Sequence, residues 1–340
     1  MSKKKRLIGL LYIAVLCSQG LCAQTRQMGI EELFRLADEQ SKSIQTYRTG
    51  AESAEEALKA AKAQRLPDVN VSLSASYWGN GKLWDRDFGN AMTVDMPHFG
   101  NNFALEAQQV IYAGGAISSG IKQAEIGKAL AELDLQKNVQ EIRFLLVGHY
   151  LNVYKLDNQI RVVQKNMELG TVLKNDITRY ELQKEQLNLQ LSRVEDARKI
   201  ANHQLVTALH LPEGTEISPD TYLLERQILT LTEDDWQDMA ETNNILLKQT
   251  QAAIQMNEQK VKQERSERLP HISIVAAEHL DGPITIEVPV LDNNFNYWYI
   301  GIGVKYNLSS LFKNNKKLKQ ARLNVRQAQE LHQLAQEQVE

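Results

Sequence analysis

Residues 65–78, RLPDVNVSLSASYW, join a helix breaker to a strand with two chemically different faces. Every second side chain from Val69 to Tyr77 is apolar, and the residues between them are one asparagine and three serines. Successive strand residues point to opposite faces, so this alternation predicts a strand between an apolar medium and a wet interior. A half-buried strand of a soluble sheet is the alternative interpretation, although the wet face of such a strand more often carries lysine, glutamate or threonine.

The same breaker returns in RLPHISIVAA (268–277), again before alternating residues. A shift of 203 positions superimposes residues 31–40 on 234–243 without a gap, and after the strands the shift becomes 197. Self-similarity of this kind organises a whole chain. Each repeat is predicted to contain a helix, a proline break, a strand, a polar loop, a strand and a long helix. Pro67 and Pro270 are the predicted helix-to-strand breaks, because proline lacks an N–H and clashes with the preceding turn.

Two strands are predicted in each repeat: 69–78 and 102–112 in the first, 271–279 and 296–306 in the second. In the last of them the apolar side chains share one face and have aromatic residues at both ends, whereas glycine and one lysine occupy the other face. This pattern is typical of a membrane-barrel strand with its aromatic belts. The side chains predicted to face lipid are Val69, Val71, Leu73, Trp298, Ile300, Ile302 and Val304.

The helical segments are longer than those of most globular proteins. Apolar residues recur at spacings of four and three from Leu135 to Met167, and a second seam runs from Leu173 to Ala208. Heptad seams predict helices that pack nearly parallel to their neighbours. Gly170 between the seams is typical of a helix C-cap followed by chain reversal, so residues 116–209 are predicted to form a helical hairpin. His149 on the first seam is interpreted as a packed or interfacial histidine rather than a ligand.

The first 23 residues have a basic head, an apolar run and small residues near Cys22 and Ala23, which is the layout of a secretory signal peptide. A lipid-anchored start at Cys22 is the alternative. Both cysteines of the chain lie in this segment, so cleavage after Ala23 would leave no thiol and no disulfide. The remaining 35 basic and 42 acidic residues give a net charge of −7, which provides no electrostatic footprint for nucleic acid.

Catalytic signatures are missing from the sequence. There is no glycine-rich phosphate loop after a strand and no zinc spacing, and the carboxylates are spread along helix faces, where a solvated surface explains them. The sequence therefore predicts a protein that is not an enzyme and binds no cofactor or metal.

The strand count predicts an oligomer. Four membrane strands cannot close a barrel, since the smallest outer-membrane barrels have eight strands. Open sheet edges are not tolerated in lipid, so closure must come from other chains.

The sequence resembles the TolC-like outer-membrane efflux protein family over residues 28–340. The resemblance rests on the signal peptide, the duplicated unit, the Arg-Leu-Pro break before each first strand and the turn GTVLKND (170–176). Family members typically have a glycine at this turn and an acidic residue six positions on, which Gly170 and Asp176 match. The segment ANHQLVTALHL (201–211) is similar to the family's return-helix end, although a glycine is usual where His210 or Leu211 stands.

The resemblance implies a mainly α fold with a small β part, in which long antiparallel helical hairpins form an α-barrel. It implies a homotrimer whose three chains contribute four strands each to a twelve-stranded transmembrane β-barrel. Such a protein is the outer-membrane channel of a tripartite efflux or type I secretion system, lies in the outer membrane of a Gram-negative bacterium and extends into the periplasm. It passively conducts substrates received from an inner-membrane transporter. A periplasmic coiled-coil adaptor or scaffold is the alternative function, because heptads and a signal peptide suit it equally.

The resemblance also implies that a periplasmic adaptor protein docks at the tip of the helical hairpin. The residues assigned to this tip are Glu168, Leu169, Gly170, Thr171, Val172, Leu173, Lys174, Asn175 and Asp176.

The repeat predicts a division of the chain into four parts. These are a signal peptide (1–23), a first repeat (24–211), a connecting segment (212–233) and a second repeat (234–340). In repeat phase Glu340 corresponds to Arg143, in the middle of a helix, so the second repeat is expected to be truncated.

Overall fold

The computed structural model describes residues 25–168, 177–220, 232–284 and 290–339. Helices are α1 (Ile30–Gln40), α2 (Lys42–Ala63), α3 (Ala116–Glu168), α4 (Ile177–Ala208), α5 (Glu233–Asn243), α6 (Ile245–Ser266) and α7 (Ser310–Glu337). Strands are β1 (Thr25–Met28), β2 (Asp68–Tyr77), β3 (Gly81–Leu83), β4 (Met92–Val94), β5 (Phe99–Tyr112), β6 (Glu216–Pro219), β7 (His271–Gly282) and β8 (Phe295–Lys305). The chain is thus mainly helical with a small β part, as predicted.

The internal repeat is visible in the helix bounds. The 203-residue shift carries both ends of α1 onto α5 and both ends of α2 onto α6. Each pair is interrupted by one polar residue, Ser41 or Asn244, whose side chain caps the following helix. The Asn244 side chain accepts the N–H groups of Leu246 at 2.8 Å and Leu247 at 3.3 Å, as an N-cap asparagine should. The predicted repeat is confirmed down to these capping positions.

The four long strands form one antiparallel sheet in the order β2-β5-β7-β8, so the prediction of a single sheet is confirmed. The first repeat supplies β2 and β5, and the second supplies β7 and β8. The two repeats meet along the β5–β7 ladder, which shifts register between Val110 and Tyr112. Within the described residues, the outer edges of β2 and β8 pair with no other strand.

The predicted strand bounds need correction where cross-strand pairing extends the strands. β5 begins three residues before the predicted 102, because Phe99 to Asn101 pair with the end of β2. β7 continues past 279 to Gly282, because its last residues pair with β5 and β8. β2 and β8 each lie one residue earlier than predicted. The predicted polar loop 79–100 contains the β3–β4 hairpin, and the predicted connecting segment 212–233 contains β6.

The predicted division into sequential repeats is not the division into compact units. One unit consists of Met1–Gly50 with Asp134–Glu233, and the other of Ala51–Leu133 with Asp234–Glu340. The boundaries between these units fall within α2 and α3, whereas the four long strands of both repeats belong to the second unit.

The core of the first unit surrounds the short parallel pair β1–β6. Its buried side chains come from β1, α1, α3, α4 and β6: Met28, Leu33, Leu36, Ala37, Leu146, Tyr150, Val153, Leu156, Ala201, Leu205, Val206, Leu209 and Ile217. His149 is interpreted from the sequence as a packed or interfacial histidine, and its half-exposed position is compatible with that interpretation. Tyr150 is the buried residue, and His149 is half-exposed.

Tyr150 connects three parts of this unit through its hydroxyl group, although no solvent reaches its side chain. The hydroxyl donates to the carbonyl of Met28 at 2.8 Å and accepts the N–H of Asp220 at 2.8 Å. Burial raises the pKa of the Tyr150 phenol. Beside it, Asn202 on α4 holds β6 by donating to the carbonyl of Thr215 and accepting the N–H of Ile217, both at 2.8 Å.

We predict that Tyr150→Phe lowers the free energy of unfolding by about 1–2 kcal/mol, because two buried backbone groups each lose a partner while the ring still fills its space. Chemical denaturation in detergent measures the change, and Tyr47→Phe at an exposed tyrosine is the matched control. The raised pKa sets the pH window. The unfolded tyrosine ionises near pH 10, so the stabilisation is complete below that pH and declines as the pH rises toward the folded pKa. An equal loss in both variants would contradict the assignment.

Candidate functional site

The two faces of the four-stranded sheet differ in chemistry. Residues directly opposite each other on neighbouring strands share a face. One row across the sheet consists of Val71, Leu105, Glu278 and Trp298, and the adjoining row consists of Val69, Ala107, Ala276 and Ile300. The register therefore brings together on one face all seven side chains predicted to meet lipid, although they come from the two edge strands.

This apolar face is open within the chain. Leu73 is 78% exposed and Trp298 is 71% exposed, and the other five predicted side chains are exposed as well. Neighbouring strands cannot cover these side chains, because all of them project from the same side of one sheet. An apolar surface formed by several strands calls for contact with lipid or with another protein.

One charged residue, Glu278, lies on the apolar face and was not among the predicted site residues. Glu278 is opposite Trp298, and its Oε1 accepts a hydrogen bond from Nδ2 of Asn296 at 3.3 Å. The sequence contains a signal for this placement, because Glu278 lies four residues after Ile274 in β7 and therefore projects to the same face. A charged side chain on the lipid face costs least near the membrane–water interface. The Glu278–Asn296 pair lies toward the end of the sheet where β7 leads to β8, which suits an interfacial level.

The opposite face is polar along β2 and β5. Asn70, Ser72, Ser74 and Ser76 project from β2 on this side. Between the central strands, Asn102 donates to Asp281, and Gln108 donates to the hydroxyl of Ser273 at 3.2 Å. Such a face is suited to water rather than to lipid.

The helix-to-strand junctions lie at the two prolines. α2 ends at Ala63, the N–H of Leu66 closes a last turn onto its carbonyl at 2.8 Å, and Pro67 directly precedes β2. In the second repeat, Leu269 makes the same contact with Ser266 at 2.9 Å, before Pro270.

A glycine allows the second junction to pack closely against the end of β5. Gly114 has φ +61°, and a Cβ at this position would approach the carbonyl oxygen of Ser266 and the Cβ of Leu269 to 2.9 Å. No larger side chain fits there without movement of the backbone.

Residues 33–169 match the family model described as "Outer membrane efflux protein". Solved structures extend the similarity over most of the chain. The outer membrane protein VceC of Vibrio cholerae is 13% identical, with a TM-score of 0.63 over 91% of this chain and 75% of its own. The open-state MtrE outer membrane channel of Neisseria gonorrhoeae is 13% identical, with a TM-score of 0.68 over 91% of this chain and 70% of its own. The resemblance to the outer-membrane efflux family is confirmed.

A third outer-membrane structure agrees with these two. The CmeC outer membrane channel of Campylobacter jejuni is 15% identical, with a TM-score of 0.63 over 90% of this chain and 67% of its own. A search of curated proteins by sequence found no match. At these identities the structures establish the fold that the chain shares with outer-membrane channels.

The predicted hairpin tip lies almost entirely outside the described residues. α3 ends at Glu168, α4 begins at Ile177, and Leu169 to Asp176 fall between them. The role of this tip therefore stays a prediction.

Two negative findings apply to the part of the chain that the structure describes. No helix there is both long and apolar enough to cross a membrane. No group of three or more histidine, cysteine, aspartate or glutamate side chains is arranged to hold a metal ion in the same ranges.

We predict that Leu73→Arg prevents membrane assembly, whereas Ser74→Arg is tolerated. Both side chains are exposed in the chain, so packing within the sheet does not distinguish them. Contact with lipid distinguishes them, because an arginine facing the bilayer midplane destabilises the protein by about 2–4 kcal/mol. An arginine facing a wet interior has no such cost. The measurement is the fraction of each variant recovered in the outer membrane. Equal recovery of the two variants would show that the faces are assigned wrongly.

Proposed function

We propose that this protein is the outer-membrane channel of a tripartite efflux or type I secretion system. It conducts substrates passively from an inner-membrane transporter across the periplasm and the outer membrane. The observation that carries the proposal is a sheet with one exposed apolar face, one polar face and two open edges. The fold that the chain shares with outer-membrane channels supports the same proposal.

The sheet supports an oligomeric barrel. Open strand edges are not stable in lipid, and the outer edges of β2 and β8 find no partner among the described residues. A second copy can supply the missing partner by pairing its β8 with β2. Three copies then close twelve strands, and the polar faces with Ser72 and Ser74 line the interior.

The helices support the periplasmic part of the duct. α3 has 53 residues, which corresponds to a length of about 80 Å at 1.5 Å per residue. Its buried side chains Leu146, Val153 and Val163 are separated by seven and ten residues, so one stripe packs inward along the helix. Helices of this length can carry a duct from the outer membrane toward a partner.

The proposed partners are a periplasmic adaptor, which docks at the hairpin tip, and the inner-membrane transporter that supplies the substrate. The tip offers Leu169, Val172 and Leu173 for apolar contact with helices of the adaptor. Asn175 or Asp176 can cap the first turn of the return helix and thereby hold the tip in one conformation.

A periplasmic adaptor or scaffold is the second candidate function, since heptad helices also suit it. The exposed apolar face of the sheet argues against it, because a soluble scaffold has no need of Trp298 and Ile300 on an open strand face. Recovery of the full-length protein in the soluble periplasm would favour the scaffold and overturn the channel.

We predict that Val172→Glu combined with Leu173→Glu abolishes export while trimer formation and membrane insertion continue. Two buried carboxylates at a docking contact cannot be solvated, whereas the body of the duct is not altered. Export is followed as intracellular accumulation of a fluorescent dye in cells that lack the native protein. Val172→Ile with Leu173→Met is the matched control, because it keeps both positions apolar and should retain export. Unchanged export in the glutamate variant, or a loss only in proportion to lost trimer, would refute adaptor docking at this tip.

A further inference from the structure

Four aromatic rings lie in a row on the polar face of the sheet. The ring centroids of Phe295 and Tyr297 are 5.3 Å apart, those of Tyr297 and His279 are 5.0 Å apart, and those of His279 and Tyr299 are 6.2 Å apart. The angles between the ring planes are 27°, 13° and 8°, so the rings are stacked. We call Phe295, Tyr297, His279 and Tyr299 the ring ladder.

Two carboxylates flank the ring ladder on the same face. The Oε1 atom of Glu106 lies 4.0 Å from Nε2 of His279, and Asp281 is directly opposite Phe295. Asp281 is held by the amide of Asn102 on the neighbouring strand. The ladder therefore has negative charge on the side of β5 and at one end.

The aromatic side chains of the ring ladder differ from the other side chains on this face. β2 contributes asparagine and serine there, and β8 continues beyond the ladder with Gly301 and Gly303. A Cβ at Gly301 would meet no heavy atom within 4 Å, so there is open space beside Tyr299. The His279 side chain is 15% exposed, whereas Tyr299 is 46% exposed. Histidine thus serves as an inner support, and tyrosine presents a surface to the open side.

Rings and carboxylates in this arrangement recognise one class of ligand. The negative face of an aromatic ring attracts a cation, and the attraction strengthens where water is partly excluded. A nearby carboxylate selects against anions. A lipophilic cation with dispersed charge fits best, because its apolar surface covers the exposed ring of Tyr299 while its charge faces Glu106, which lies in the same row of the sheet.

We propose that the ring ladder binds lipophilic organic cations on the wall of the duct. The statement that this wall lines a duct rests on the proposed function, whereas binding itself requires only the sheet. Successive weak binding at such a wall favours the passage of organic cations over anions of the same size.

Tetraphenylphosphonium is the probe, and equilibrium dialysis against the full chain in detergent at pH 8 is the measurement. Tyr299→Leu removes the exposed ring but keeps an apolar side chain, and Glu106→Gln removes the charge but keeps the shape. Each is expected to lower the affinity at least about threefold. Asp68→Asn is the matched control, because it removes a carboxylate from the same face of β2, two strands away from β7, and is expected to leave the affinity unchanged.

Tetraphenylborate, an anion of the same size, is expected not to show saturable binding. Equal binding of the two ions, or an affinity that neither Tyr299→Leu nor Glu106→Gln alters, would overturn the proposal. The channel function is tested separately by dye export. Binding of the cation without export would contradict the channel function and support the binding site. Export without binding would contradict the binding site and support the channel function.

Discussion

The β5–β7 ladder is the interaction on which the rest of the structure depends. It joins a strand of the first repeat to a strand of the second, and so turns two hairpins into one sheet. A hairpin alone is marginally stable, and each repeat supplies only one pair of strands to this sheet. Pairing also fixes the register, which places Val71, Leu105 and Trp298, from three of the strands, on a single face. Because the outer edges then belong to different repeats, β2 of one copy can meet β8 of another without any new kind of contact.

The same duplication is visible in the helices, but the contacts that hold these helices differ between the two repeats. Helix bounds agree at both capping positions, since Ser41 and Asn244 each interrupt a helix pair. The short strands β1 and β6 pair in the first unit, where Tyr150 supports them from α3. A buried hydroxyl with two backbone partners specifies one arrangement more strictly than apolar contact does, because any shift leaves polar groups unsatisfied.

Much of the fold could be predicted because its signals are local. The alternation in β2 and the proline before it indicate a strand and its start, and the 203-residue shift indicates that the pattern occurs twice. Contacts between distant segments could not be predicted in this way. Heptad spacing permits His149 or Tyr150 to face the core, and the partners of the Tyr150 hydroxyl at Met28 and Asp220 lie far away in sequence. Strand ends such as Phe99 and Gly282 depend on partners far away in sequence. The β5–β7 register likewise determines that Glu278 shares a face with Trp298.

The candidate site shows how one strand can satisfy two environments. In β8, Trp298, Ile300 and Ile302 project to the apolar side, while the residues between them project to the polar side. The period of two lets these faces vary independently, since a change on one leaves the other in place. Gly301 and Gly303 have no side chain to fill the space on the polar side of β8, whereas the rings of Tyr297 and Tyr299 occupy that space. Tyrosine is suited to these positions because its ring stacks on His279 while its hydroxyl can form hydrogen bonds on the polar side. In the proposed duct, selectivity would therefore depend on a few residues of β5, β7 and β8, and membrane insertion on the neighbouring positions of the same strands.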